Sequence, residues 1–253
     1  KLIAKSFLAT RKIEDARLYF NKVLTIKPDH YEVIKDLGNT YQAMGDISTA
    51  KNYYRKAIAI NGNYAPALTN LGIIELNAAN KQEALSLLIK ATESDPQLAP
   101  AWGNLANGYI KLGKIKEAEI PTRKWIDLNP NLFNSHFLLA KILIGQKKLQ
   151  DAEQSICKAI ELNADLFNAH FLLATILLEQ NKLQDAIAPL QKTIALQPDF
   201  FQAHLNLGAV LKDLGKLEDA EISTRKAIEL NPNFAETHSN LGSILKDLGK
   251  LKE

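Results

Sequence analysis

Apolar residues recur along this chain in two helical stripes that repeat together every 34 residues. Within each repeat, positions 4, 7, 8 and 11 have the i, i+3, i+4, i+7 spacing of one helix face. Positions 17, 20, 24, 27, 28 and 30 form a second apolar stripe. The pattern therefore predicts two amphipathic helices in every repeat.

Small residues and turn residues mark how the two helices meet. Position 8 is always alanine or glycine and position 20 is always alanine, which lets paired helices approach closely. A short turn such as LGK or MGD separates the helices, and proline follows the second helix at position 32 in five of seven copies. Each repeat is therefore predicted to be an antiparallel helix pair that buries its apolar face by stacking on its neighbours.

The repeat phase divides the chain without a gap. With position 1 at Tyr31, complete repeats span 31–64, 65–98, 99–132, 133–166, 167–200 and 201–234, between partial repeats 1–30 and 235–253. We predict one all-α array over 1–253 that is a fragment of a longer protein. The last helix, Glu236 to Leu248, lacks its partner, so we expect Leu241 and Leu245 to be exposed and to promote end-to-end association.

These features resemble the tetratricopeptide repeat (TPR) family, bacterial multi-repeat members in particular, over the whole chain. The resemblance implies a right-handed α–α superhelix, or solenoid, whose first helices line a concave groove for extended peptides or helices. Some residues depart from the family pattern. Trp125 replaces a small residue at position 27, and Glu75 takes an aromatic position, 11. Pro121 and Pro189 lie within second helices, where we expect them to bend the backbone.

Composition and charge narrow the classes of partner. The chain is 46% hydrophobic and 23% charged, with a net charge of +3 and both signs interspersed. That balance gives no indication of nucleic acid or a lipid surface as a partner. The longest apolar run, Phe171 to Leu178, is too short to span a membrane. Cys157 is the only cysteine, which rules out an intrachain disulfide and fits a reducing, cytoplasmic compartment.

No catalytic, metal or cofactor motif stands out, so we expect a protein that is not an enzyme and holds no cofactor. Histidines share position 4, one per repeat and too far apart for one metal ion, so packing and hydrogen bonding is the favoured interpretation. Lysine recurs at position 26 from Lys22 to Lys226, either as a stripe for an acidic partner or, as we favour, as a solvated face near a helix C-terminus. The position-4 histidines are His136, His170, His204 and His238.

Position 6 lies about 150° from the core direction of the first helix, on the side that would line the groove. Stacked asparagines there can hold a peptide backbone, but Leu138 and Leu172 interrupt them and predict an apolar patch. Phe137 and Phe171, at position 5, either join that patch or pack against the next repeat. The predicted peptide-binding residues are Asn70, Asn104, Asn107, Phe137, Leu138, Phe171, Leu172, Asn206 and Asn240.

The favoured functional hypothesis is a protein–protein interaction scaffold that binds a protein or peptide partner in this groove. Two alternatives stay open: a substrate-recognition arm of a transferase-type enzyme whose catalytic domain lies outside this chain, and a self-assembly scaffold forming a homo-oligomer end to end or through the groove. The family also contains a clamp for acidic C-terminal tails. Lys35, Asn39 and Asn70 match that clamp, but Pro100 and Asn104 stand where it needs basic residues.

Overall fold

A computed structural model describes residues 13–250, and over that range the chain forms fourteen α-helices and no strand. The prediction of an all-α repeat fold is therefore confirmed. The first helix predicted for partial repeat 1–30, with Ala4 at position 8, falls outside the described residues. The helices are α1 Ile13–Ile26, α2 Tyr31–Ala43, α3 Ile47–Ile60, α4 Ala65–Asn77, α5 Lys81–Ser94, α6 Ala99–Lys111, α7 Glu119–Leu128, α8 Phe133–Gly145, α9 Leu149–Leu162, α10 Phe167–Glu179, α11 Leu183–Leu196, α12 Phe201–Asp213, α13 Leu217–Leu230 and α14 Ala235–Asp247.

The turn inside each helix pair ends the first helix by the same device. The residue at position 15 adopts a left-handed backbone, whether it is glycine, as in Gly45 (φ 82°), or not, as in Lys147 (φ 61°). The amide at position 16 then donates to the carbonyl at position 11, as Lys148 does to Leu143 over 2.9 Å. This six-to-one bond closes the helix end and reverses the chain. The second helix therefore runs back along the first.

The described residues form two compact units, divided between Pro130 and Asn131. Unit 1 contains α1 to α7 and unit 2 contains α8 to α14. In both units the small residue at position 8 faces the side chain at position 24. A β-carbon on Gly38 would lie 2.6 Å from the Tyr54 ring, and one on Gly72 would lie 2.8 Å from Leu88. The close packing of the two helices within each of these pairs therefore depends on the missing side chain. The single array over 1–253 stays a prediction.

The last helix is better covered than its sequence predicts. Leu245 is 9% exposed and Leu241 is half-buried, so the expectation that both would be exposed is wrong for Leu245 and only partly met by Leu241. The reason is that α14 packs against both α12 and α13. These two helices bury the apolar stripe of α14, including Ile244, from one side.

The two internal prolines have different effects. Pro121 has no N–H for the carbonyl of residue 117, and α7 begins only at Glu119, so this second helix has ten residues instead of fourteen. The expected bend at Pro121 is therefore corrected to a late helix start. Pro189 lies inside α11, which continues from Leu183 to Leu196.

Candidate functional site

The first helices of unit 2 leave one side accessible to solvent, and we call it the open face of unit 2. It is defined by positions 6 and 9 of α8, α10, α12 and α14. Leu138 and Leu172 lie there at position 6 of successive first helices, and both side chains are half-buried. The next residue, Leu139, is only 5% exposed. The two leucines therefore retain accessible apolar surface, although less than a fully exposed patch would offer.

The phenylalanines beside these leucines differ from each other. Phe171 packs against the core of unit 2, and its ring meets that of Phe200 edge to face at a centroid distance of 4.9 Å. The packing alternative therefore applies to Phe171. Phe137 is half-buried, and the ammonium of Lys141 lies 5.9 Å from its ring centroid. Lys141 is an exposed cation on the open face that the sequence pattern did not single out.

Asn206 and Asn240 continue the open face of unit 2 at position 6 of α12 and α14. Both are half-buried. Neither side chain makes a hydrogen bond to another of the residues 13–250. A carboxamide offers two N–H donors and a carbonyl acceptor, so both can bind polar groups of a ligand. Unit 2 thus brings two leucines and two available amides to the same position of four successive first helices.

The predicted asparagines of unit 1 are already engaged in part. Asn70 Nδ2 donates to Asn39 Oδ1 over 2.8 Å, and the hydroxyl of Tyr54 lies 2.8 Å from the same oxygen and 2.7 Å from Gln42 Oε1. Burial raises the pKa of Tyr54, so the hydroxyl stays protonated. Asn104 Nδ2 donates to the carbonyl of residue 100 over 2.7 Å. Sequence reasoning missed this network, because nothing in the repeat pattern pairs position 6 with position 9 of the preceding repeat.

Of the other clamp and groove residues in unit 1, Lys35 is engaged and Asn107 is accessible. Lys35 Nζ lies 2.7 Å from the carboxylate of its neighbour Asp36, which is 2% exposed. Asn107, at position 9 of α6, is exposed. The accessible amides and the accessible aliphatic side chains are therefore best developed together on unit 2.

A buried carboxylate joins two neighbouring repeats of unit 1. Glu75, with a fully buried side chain, accepts from Lys51 Nζ at 2.8 Å, Arg55 Nη2 at 3.1 Å and Asn80 Nδ2 at 2.7 Å. Burial alone would raise the pKa of this carboxyl, but the hydrogen bonds from Asn80 and Lys51 and the two nearby cations hold the pKa below its ordinary value. The carboxylate is enclosed by its partners, so its role is structural.

The position-4 side chains of four repeats each make the same type of hydrogen bond, to the backbone carbonyl six residues earlier. The Nε2 atoms of three histidines lie 2.9, 2.9 and 2.7 Å from the carbonyl oxygen six residues earlier, and the indole N–H of Trp102 donates equivalently over 2.9 Å. Within residues 13–250, no cluster of three His, Cys, Asp or Glu side chains could hold a metal ion. The predicted hydrogen bonding is observed for His170, His204 and His238, and the predicted packing for the buried His170 and His204 but not for the exposed His238.

The remaining candidate features are also accounted for locally. Lys158 and Lys226, at position 26, are exposed and pair with glutamates on their own helices, as a solvated face would. Burial, followed by the nearby Glu153 and Glu161, raises the pKa of the Cys157 thiol, which disfavours a reactive thiolate. Across the described part of the chain, every helix is too short or too polar to traverse a bilayer.

Comparison with known proteins identifies family models that match the chain. Models of the tetratricopeptide repeat match residues 36–64, 133–166 and 201–234, and a further TPR repeat model matches residues 174–215. No curated protein shows significant sequence similarity to this chain.

Solved structures with the same fold cover most of the chain. YrrB, a TPR protein with an unusual peptide-binding site, is 22% identical, with a TM-score of 0.68 over 74% of this chain and 96% of its own. PilF from Pseudomonas aeruginosa is 19% identical, with a TM-score of 0.69 over 84% and 97%. The C-terminal part of a TPR repeat-containing protein from Cytophaga hutchinsonii is 13% identical, with a TM-score of 0.72 over 94% and 98%. By repeat period, helix pairing and family match, the chain is a tetratricopeptide repeat protein.

Proposed function

We propose that the chain is a non-catalytic protein-interaction scaffold that binds a peptide or helix of a partner protein on the open face of its first helices. The main support for the proposal is the pair Leu138 and Leu172. Both are half-buried, and they occupy the same repeat position as two asparagines whose side-chain amides are available. Apolar contacts supply binding free energy, and the amides orient the ligand. The peptide-binding site of YrrB, a protein of the same fold, supports this proposal.

The expected affinity follows from the number of anchors. Burying a leucine-sized side chain contributes about 1.5–3 kcal/mol, from which the cost of ordering both partners must be subtracted. A few such anchors give a dissociation constant on the order of micromolar.

The test is selection of a phage-displayed random peptide library on the immobilised protein. We expect sequence-related peptides to be enriched on the wild type and lost on the double variant Leu138→Asp, Leu172→Asp. The matched control is Ile222→Asp, because Ile222 is an aliphatic residue on a second helix and is 69% exposed. Circular dichroism confirms that the variants keep their helices. Equal enrichment on the double variant, or none on the wild type, contradicts the proposal.

A further inference from the structure

We propose that the ligand of unit 2 is an extended peptide with two apolar side chains three residues apart and an acidic residue beside the apolar side chain that meets Leu138. Its backbone, beyond the second apolar residue, is held by Asn206 and Asn240. This inference rests on the proposed function and specifies the partner's chemistry.

The available amides favour an extended ligand over a helical one. Asn206 and Asn240 have no side-chain partner within the described residues. An α-helix satisfies its backbone N–H and C=O groups internally, so it presents none of them along its length. An extended segment presents both kinds of group at every residue. Two successive asparagines at position 6 are therefore matched to an extended backbone.

The spacing of the first helices sets the register. The first helices α12 and α14 of consecutive repeats approach within 8 Å between Cα atoms, and we infer a similar repeat spacing for α8 and α10, which carry Leu138 and Leu172. Packed helix axes are about 8–10 Å apart. An extended segment in the polyproline II conformation rises about 3.1 Å per residue with three residues per turn, so it advances roughly three residues per repeat and places residues i and i+3 on the same side. Side chains that meet Leu138 and Leu172 are then separated by three positions, whereas a helix rising about 1.5 Å per residue would need about six or seven.

The charges on the open face of α8 and α10 indicate an acidic residue in the ligand. Among positions 2, 5, 6, 9 and 12 of α8 and α10 there is no carboxylate and a single cation, Lys141. Lys141 is exposed, lies over the Phe137 ring and forms no ion pair within residues 13–250. Glu179, at position 13 of α10, is already paired with Lys147 at 3.3 Å. An acidic ligand residue next to the first anchor therefore meets an uncompensated ammonium.

The experiment compares fluorescein-labelled synthetic peptides of equal composition by anisotropy titration. One peptide places two leucines three residues apart with aspartate beside the first. A second places the leucines adjacent, and a third places them seven apart in a helix-forming sequence. We expect the first to bind at least about tenfold more tightly than the others, since each loses one anchor.

Two further comparisons separate charge from backbone recognition. Replacing the peptide aspartate with lysine should weaken binding to the wild type, and Lys141→Glu should reverse that preference. Methylating the peptide backbone nitrogens beyond the second leucine should weaken binding to the wild type but not to the double variant Asn206→Ala, Asn240→Ala. A lysine peptide that binds as tightly as the aspartate peptide, or methylation without effect, would overturn the inference.

The outcomes distinguish this inference from the function on which it rests. Tightest binding by the helical peptide overturns the extended register but leaves peptide binding intact. If library-selected peptides bind and none of the three designed peptides does, the extended register is likewise overturned and peptide binding again stays intact. Absence of any peptide binder, together with a dimer by light scattering that Leu138→Asp and Leu172→Asp dissociate, overturns both, because a second copy then covers this face.

Discussion

The indole ring of Trp125 occupies the space that a β-carbon on Gly103 would need. Such a β-carbon would lie 2.9 Å from Cδ2 and Cε2 of the ring. Position 27 is alanine or threonine in the other five complete repeats, and position 5 is glycine only in the repeat that contains Trp125. The tryptophan is thus accommodated by the loss of a side chain on the facing helix.

Replacing Gly103 with alanine should therefore destabilise unit 1. The methyl group meets the rigid body of the ring and not the end of a flexible chain, so we expect a loss of about 1–3 kcal/mol in the free energy of unfolding, measured by urea denaturation. Gly242→Ala is the control, because nothing lies within 4 Å of its β-carbon and alanine favours a helix. Equal losses at the two glycines would contradict this explanation.

The buried carboxylate of Glu75 gives a prediction about charge. Deleting a cation should be more harmful than deleting the carboxylate, because Lys51→Met leaves a buried charge with fewer partners. We expect Lys51→Met to cost about 1–3 kcal/mol at neutral pH. Glu75→Leu, which introduces the leucine found at position 11 of the repeats in unit 2, should change stability by less than about 1 kcal/mol. The reverse order would contradict the account.

The same carboxylate predicts a pH dependence. The pKa of Glu75 is lowered in the folded protein, so its contribution is present above the unfolded pKa, about 4.3, and is lost as the pH falls through the folded pKa. The stability difference between wild type and Glu75→Leu should therefore shift in favour of the variant below about pH 5. Thermal unfolding of both proteins across this range is the measurement, and parallel pH profiles would exclude the prediction.

Asparagines at the same repeat position should behave differently in the two units. Asn70→Ala removes a hydrogen bond within the network of Asn39 and Tyr54, so it should lower stability by about 1 kcal/mol. Asn206→Ala removes an amide with no partner in the described structure, so it should leave stability unchanged and weaken peptide binding. Calorimetric unfolding and peptide titration of both variants test this, and identical effects at the two sites would refute it.

Much of the fold could be predicted because the same pattern of apolar, small and turn residues recurs in every repeat. The small residues at positions 8 and 20 and the turn before position 17 predict helix pairs, and α2 to α6 and α8 to α14 contain the predicted apolar positions. The late start of α7 could not be predicted, because whether a proline bends a helix or delays it depends on the turn before it. The burial of Leu245 was missed for a similar reason, since it depends on contacts with two neighbouring helices.

The candidate site was harder to predict than the fold. Repeat position alone separated Leu138 from Leu139, and the structure agrees on which of the two is more buried. Position could not show that Phe171 is held by Phe200, or that Asn70 is engaged by Asn39. The first contact joins two positions of one repeat and the second joins neighbouring repeats, and both depend on side chains that the pattern leaves free to vary.

The proposed binding of a peptide on the open face of unit 2 depends on the two outward leucines, Leu138 and Leu172. The most direct test is a methyl NMR titration of the leucine-labelled protein with a library-selected peptide. We expect the methyl signals of Leu138 and Leu172 to shift on binding, while those of the buried Leu139 and Leu143 stay nearly unchanged. Binding that leaves Leu138 and Leu172 unaffected, with shifts confined to the second helices, would contradict it.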